Sequence, residues 1–109
     1  MEDLTKQILD MKELVTYQDG SVVSRAVVQK KAGSVTLFAF AEGQGLSEHT
    51  APYDAIANII DGEAFISIGG EDFTLSSGES IIMPANVPHA LDAKRPFKML
   101  LIMVHDIQL

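Results

Sequence analysis

His49 and His89, forty residues apart, are the side chains in this sequence best able to do chemistry. Each lies in a stretch punctuated by glycine and proline, Gly43 to Ala55 for the first and Gly78 to Ala93 for the second. A neutral imidazole ligates transition metals and exchanges protons near neutral pH, so two of them converging on one cavity would mark a site. Ala51 and Ala55 stand beside the first histidine where larger donors would be useful. Gln44 and Tyr53 carry oxygen donors in the same stretch, and Gln44 is the candidate third ligand if a metal is held. Asp54 lies one position from Ala55, but strand alternation would turn it to the opposite face. His105 falls in phase with Met99, Leu101 and Met103 near the end of the chain and reads as a structural residue. The sequence has no cysteine, which removes thiolate chemistry, disulfides and cysteine zinc sites.

The elements that must position these histidines are mostly strands. Leu4, Ile8, Met11 and Val15 recur at helical spacing, which predicts a short amphipathic α-helix over residues 3–14. After Gln18-Asp-Gly-Ser21 the period changes. Residues 22–28 and 35–40 are rich in β-branched and aromatic side chains and flank a hairpin loop at Lys30 to Gly33. Further strands are expected at 55–60, 64–68, 73–75, 80–83, 90–92 and 98–104, with turns at Asp61-Gly62, Gly69-Gly70 and Ser77-Gly78. Short strands at this spacing indicate an all-β sandwich or closed barrel. The division expected is a helical segment over residues 1–16 and a single β domain over 17–109.

Composition narrows the partners. The 109 residues carry a formal net charge of −7 and 47% hydrophobic residues, with a mean hydropathy of +0.17. An acidic chain repels the phosphate backbone, and Lys94, Arg95 and Lys98 read as a solvated loop, so no nucleic acid is expected. The longest apolar stretch, residues 99–104, is too short to span a bilayer, so no membrane is expected. The N-terminus shows no apolar leader core, which makes a cytoplasmic location the expectation. Residues 99–104 and 81–83 are apolar on both strand faces, and this predicts a covered outer face and a homodimer.

The two histidine stretches resemble the paired motifs of the cupin superfamily. In the first, five residues separate Gly43 from His49 and six separate Ala55 from Gly62. In the second, Gly78, Pro84 and His89 fall in register. The resemblance covers roughly residues 35–105. It implies a single-domain jelly-roll β-barrel, often dimeric, with the motif histidines facing the cavity. Four ligands typically hold a divalent metal in such proteins. Here Ala51 replaces the second histidine, Ala55 the glutamate and Ala93 the asparagine of the pattern, while Asn86 stands at a glycine position. Only His49 and His89 remain of the ligand set, fewer than the three or more protein ligands a transition metal usually takes.

The expected cavity is lined by Phe38, Phe40, Ala51, Tyr53, Ala55 and Ala57 around the two histidines. Alanine in place of polar ligands opens and dries such a pocket, which suits a small, partly apolar molecule held by imidazole hydrogen bonds. A weakly held divalent metal is compatible with this reading. The alternative is a metal-dependent cupin enzyme, an oxygenase, isomerase or lyase, using His49 and His89 on Fe, Mn, Ni or Zn.

Overall fold

The computed structural model describes residues 3–105. Eight strands follow one short 3-10 turn at Met11–Leu14. They are β1 (Val22–Lys30), β2 (Gly33–Phe40), β3 (Gly45–His49), β4 (Asp54–Ile68), β5 (Glu71–Ser76), β6 (Ser80–Met83), β7 (His89–Asp92) and β8 (Phe97–Val104). All pairings are antiparallel. The fold is the curled all-β barrel expected.

β4 is the hinge of the architecture. Its first half pairs with β8 and β6, which completes a five-stranded sheet in the order β1-β2-β8-β4-β6. Its second half pairs with β5 and β7, and β7 in turn pairs with β3. The strand passes between the two sheets through a register shift at Ile59/Asp61. Ile60 is the extra residue of a bulge at that shift, and Asp61-Gly62 pair with Lys98 and Phe97 inside one 15-residue strand instead of forming the turn their composition predicted. Gly62 has φ 75, and a Cβ there would collide with the backbone carbonyl of Pro96, so the bend requires glycine. Gly69-Gly70 does form the predicted tight hairpin, with both φ values positive and Ile68 paired to Glu71.

The α-helix predicted over residues 3–14 is a single 3-10 turn. Local side chains compete for the backbone that a helix would use. The Asp3 carboxylate accepts from the Thr5 N–H and hydroxyl, and Lys6 sits at φ 60. Asp10 then takes the Lys12 N–H, which starts the turn, and Val15 is already extended. Ile8 is fully exposed, while Met11, Leu14, Val15 and Tyr17 pack on Leu37 and Ala39.

The barrel interior is a dry cluster around Phe40, Ile59, Phe97 and Met99. Phe40 and Phe97 stack with ring centroids 4.5 Å apart and planes 8° from parallel. This packing closes one end of the barrel.

Candidate functional site

At the other end the two histidines meet. β3 and β7 run antiparallel with His49 opposite His89, so a cross-strand pair joins residues forty positions apart. Their ring centroids are 4.3 Å apart, edge to face. His89 is 6% exposed, whereas His49 lies in the exposed rim. One imidazole forms the floor of the site and the other its lip.

Both rings are held the same way. Nδ1 of His49 lies 2.7 Å from the Ser47 carbonyl, and Nδ1 of His89 lies 3.3 Å from the Val87 carbonyl. A carbonyl oxygen only accepts, so each Nδ1 donates, and in the neutral ring Nε2 carries the lone pair. Burial pushes the His89 pKa below its ordinary value, and charge on His49 adds to the push, against the opposing pull of the Val87 carbonyl. The floor of the site is thus a neutral acceptor at neutral pH.

The loop before His89 is tied down on three sides. Asp54 accepts from the Ala85 N–H at 2.8 Å, the Asn86 N–H donates to the Ala51 carbonyl at 2.7 Å, and the Gly69 N–H donates to the Pro88 carbonyl at 2.8 Å. Asn86 has φ 64, which explains why asparagine can stand at a motif glycine: it tolerates the left-handed region better than other side chains.

Other residues expected at the site are distributed differently. Ala51 is half-buried beside the Asn86 loop and Ala55 is buried. Ala57 and Phe40 are fully buried in the packed cluster, with Phe38 against the Phe40 ring at 5.9 Å. Tyr53 packs on the ring of His105, centroids 4.3 Å apart. Gln44 is at the wrong end of β3: its carbonyl accepts from Ala93, and about 15 Å of strand separates it from His49. It does not complete a ligand set. Among the described residues no group of three or more His, Asp or Glu side chains could hold a metal ion. The four-ligand divalent site implied by the motifs does not fit this donor set.

Sequence reasoning missed the two carbonyls that set the imidazole tautomers, because backbone groups leave no residue signature. It also missed a groove on the outer side of β4, β5 and β7 lined by Phe65, Thr74, Asp92 and Lys94. Lys94 Nζ sits 4.4 Å over the Phe65 ring, so the aromatic face there is already occupied.

Comparison with known proteins agrees with this architecture. The cupin domain family model matches residues 36–105. The chain belongs to the cupin superfamily. It is similar to the crystal structure of the conserved SPY1581 protein of unknown function from Streptococcus pyogenes, at 35% identity and TM-score 0.89, covering 94% of this chain and 90% of that one. A cupin superfamily protein from Desulfitobacterium hafniense is 30% identical with TM-score 0.89, over 96% and 97% of the two chains. The cupin 2 conserved barrel domain protein from Leptotrichia buccalis is 42% identical with TM-score 0.84, and the match spans 86% of this chain but 46% of that one. KdgF from Halomonas sp. and the DMSP lyase DddQ from Ruegeria pomeroyi, at 18% and 21% identity, share the fold alone. No curated protein sequence matches. No helix among the described residues is long and apolar enough to cross a membrane.

Proposed function

We propose that this cupin binds a small neutral molecule at its histidine end, through hydrogen bonds donated by the ligand to Nε2 of His49 and His89. The observation that carries this reading is the pairing of both Nδ1 atoms with backbone carbonyls, which leaves Nε2 of each neutral ring as an acceptor. An acceptor pair selects hydroxyl or amide N–H donors. It gives nothing to a carboxylate, which also only accepts, and the depressed basicity of His89 withholds the proton that would change this. Ala51, half-buried beside the Asn86 loop, supplies apolar surface for the rest of the ligand.

The alternative, a cupin enzyme working through Fe, Mn, Ni or Zn, lacks a third protein ligand among the described residues. A thermal-shift panel of small alcohols, diols and primary amides, each beside its matching carboxylate, tests the binding reading. Donor-bearing members should raise the melting temperature of the wild type and leave His49→Ala and His89→Ala unmoved. Stabilisation by carboxylates alone, or by no member, would contradict it.

A further inference from the structure

The two imidazoles of the site are not held by equivalent backbone. The carbonyl that takes the His49 Nδ1 proton belongs to Ser47, inside β3, at 2.7 Å. The carbonyl that takes the His89 Nδ1 proton belongs to Val87, in the connection between β6 and β7, at 3.3 Å. The second bond is longer and so weaker, and its acceptor lies outside the strand ladders. Something other than sheet pairing must therefore keep the Val87 carbonyl aimed at His89.

The connection itself shows how this is done. β6 runs beside the start of β4, with Met83 opposite Ala55. Pro84 comes next and has no N–H to continue the ladder. The following N–H, that of Ala85, is taken by the Asp54 carboxylate at 2.8 Å. Pro84 to Val87 then forms a β-turn: the Val87 N–H donates to the Pro84 carbonyl at 3.4 Å, and Asn86 stands at φ 64 in the third position. Pro88 biases Val87 toward extended backbone, so the direction of the Val87 carbonyl follows from the turn before it. Two further anchors, from the Asn86 N–H to the Ala51 carbonyl and from the Gly69 N–H to the Pro88 carbonyl, join backbone to backbone. Among the described residues Asp54 provides the side-chain anchor.

On the reading that both Nε2 atoms accept from the ligand, we propose that Asp54 is a positioning residue that sets which ligands the site takes. Through Ala85 and the turn it fixes the Val87 carbonyl, and through that carbonyl it keeps the His89 proton on Nδ1. Asp54 acts on the loop and not on the ligand. It faces out from β4, as alternation requires, and is exposed, while its neighbour Ala55 is buried. Without the carboxylate the turn loses its hold on Ala85, and the Val87 carbonyl is free to swing away. The His89 ring then takes its proton on Nε2 as well, which turns the floor of the site from acceptor to donor. A ligand hydroxyl or N–H would lose one of its two acceptors, and a carboxylate would gain a partner. His49 keeps its tautomer throughout, because Ser47 lies within β3.

Long-range proton–nitrogen correlation spectra of the histidine rings in the full chain, at about pH 8 where both rings are neutral, test this role. In the wild type both histidines should show a protonated Nδ1 and an unprotonated Nε2. Asp54→Ala and Asp54→Leu, both at an exposed position and without an acceptor, should move His89 Nε2 toward the protonated range and Nδ1 away from it. The His49 signals should stay in place. Asp54→Asn should give the wild-type His89 signals, since its amide oxygen still accepts from Ala85. An unchanged His89 tautomer in Asp54→Ala and Asp54→Leu would overturn the role of Asp54 and leave the acceptor pair standing. An equal shift in Asp54→Asn, or a shift of His49 as well, would mark a general structural effect and overturn it too. A wild-type His89 already protonated on Nε2 would overturn both the role and the acceptor pair.

Discussion

The two ends of this barrel are built from opposite chemistry. One end is sealed by the Phe40–Phe97 stack with Ile59 and Met99, all at most 1% exposed and without a polar side chain in the cluster. The other holds His49 against His89, with alanines at positions 51 and 55 and a loop anchored by backbone hydrogen bonds. The difference teaches how one barrel separates a packed apolar end from a polar one. The aromatic end holds the sheets together by packing. The histidine end contributes little packing, and its rigidity comes from the strands and anchored loop around it.

Substitutions at each end sharpen this contrast. Phe97→Ala should have the largest effect, a loss of about 3–5 kcal/mol in denaturant unfolding, because it removes half of a buried aromatic stack and leaves a cavity. Asn86→Ala should cost about 1 kcal/mol, since alanine is less tolerant of the left-handed backbone there, and Asn86→Gly should restore or exceed wild-type stability. His49→Ala should change stability by no more than about 0.5 kcal/mol, as expected for an exposed position, while abolishing ligand-induced stabilisation. A large loss of stability in His49→Ala, or a small one in Phe97→Ala, would break the contrast.

Acidity probes the histidine end separately. The folded His89 pKa lies below its ordinary value of 6.5, so the unfolded chain takes up this proton more readily. The sign follows: stability is fully present above about pH 6.5 and falls as pH drops below it toward the lower folded pKa. His89→Gln should remove that part of the pH dependence. An unfolding midpoint with the same acid slope in wild type and variant would show that His89 is not held neutral by burial.

Much of this was legible in the residues. Alternation and turn composition located most of the strands, and the spacing around His49 and His89 pointed to their convergence. What escaped has physical causes. β3 carries a single aliphatic residue, Leu46, in Gly45–His49, so no apolar period announced it. Asp61-Gly62 has the composition of a turn, but it pairs with Lys98 and Phe97 and keeps β4 continuous just past a bulge at Ile60. The helical period of residues 4–15 lost to short-range hydrogen bonds that Asp3 and Asp10 accept from the Thr5 and Lys12 N–H groups. Gln44 shares a stretch of sequence with His49, yet an extended strand carries it to the opposite end of the sheet.

The most direct test of the central claim is metal analysis of the untagged chain after loading with Fe(II), Mn(II), Ni(II) or Zn(II) in turn and desalting. Wild type would be measured beside His49→Ala and His89→Ala. A pair of imidazole acceptors without a third ligand predicts no stoichiometric metal in any of the three. About one metal per chain in the wild type, lost in both variants, would contradict the account and return the histidine end to metal chemistry.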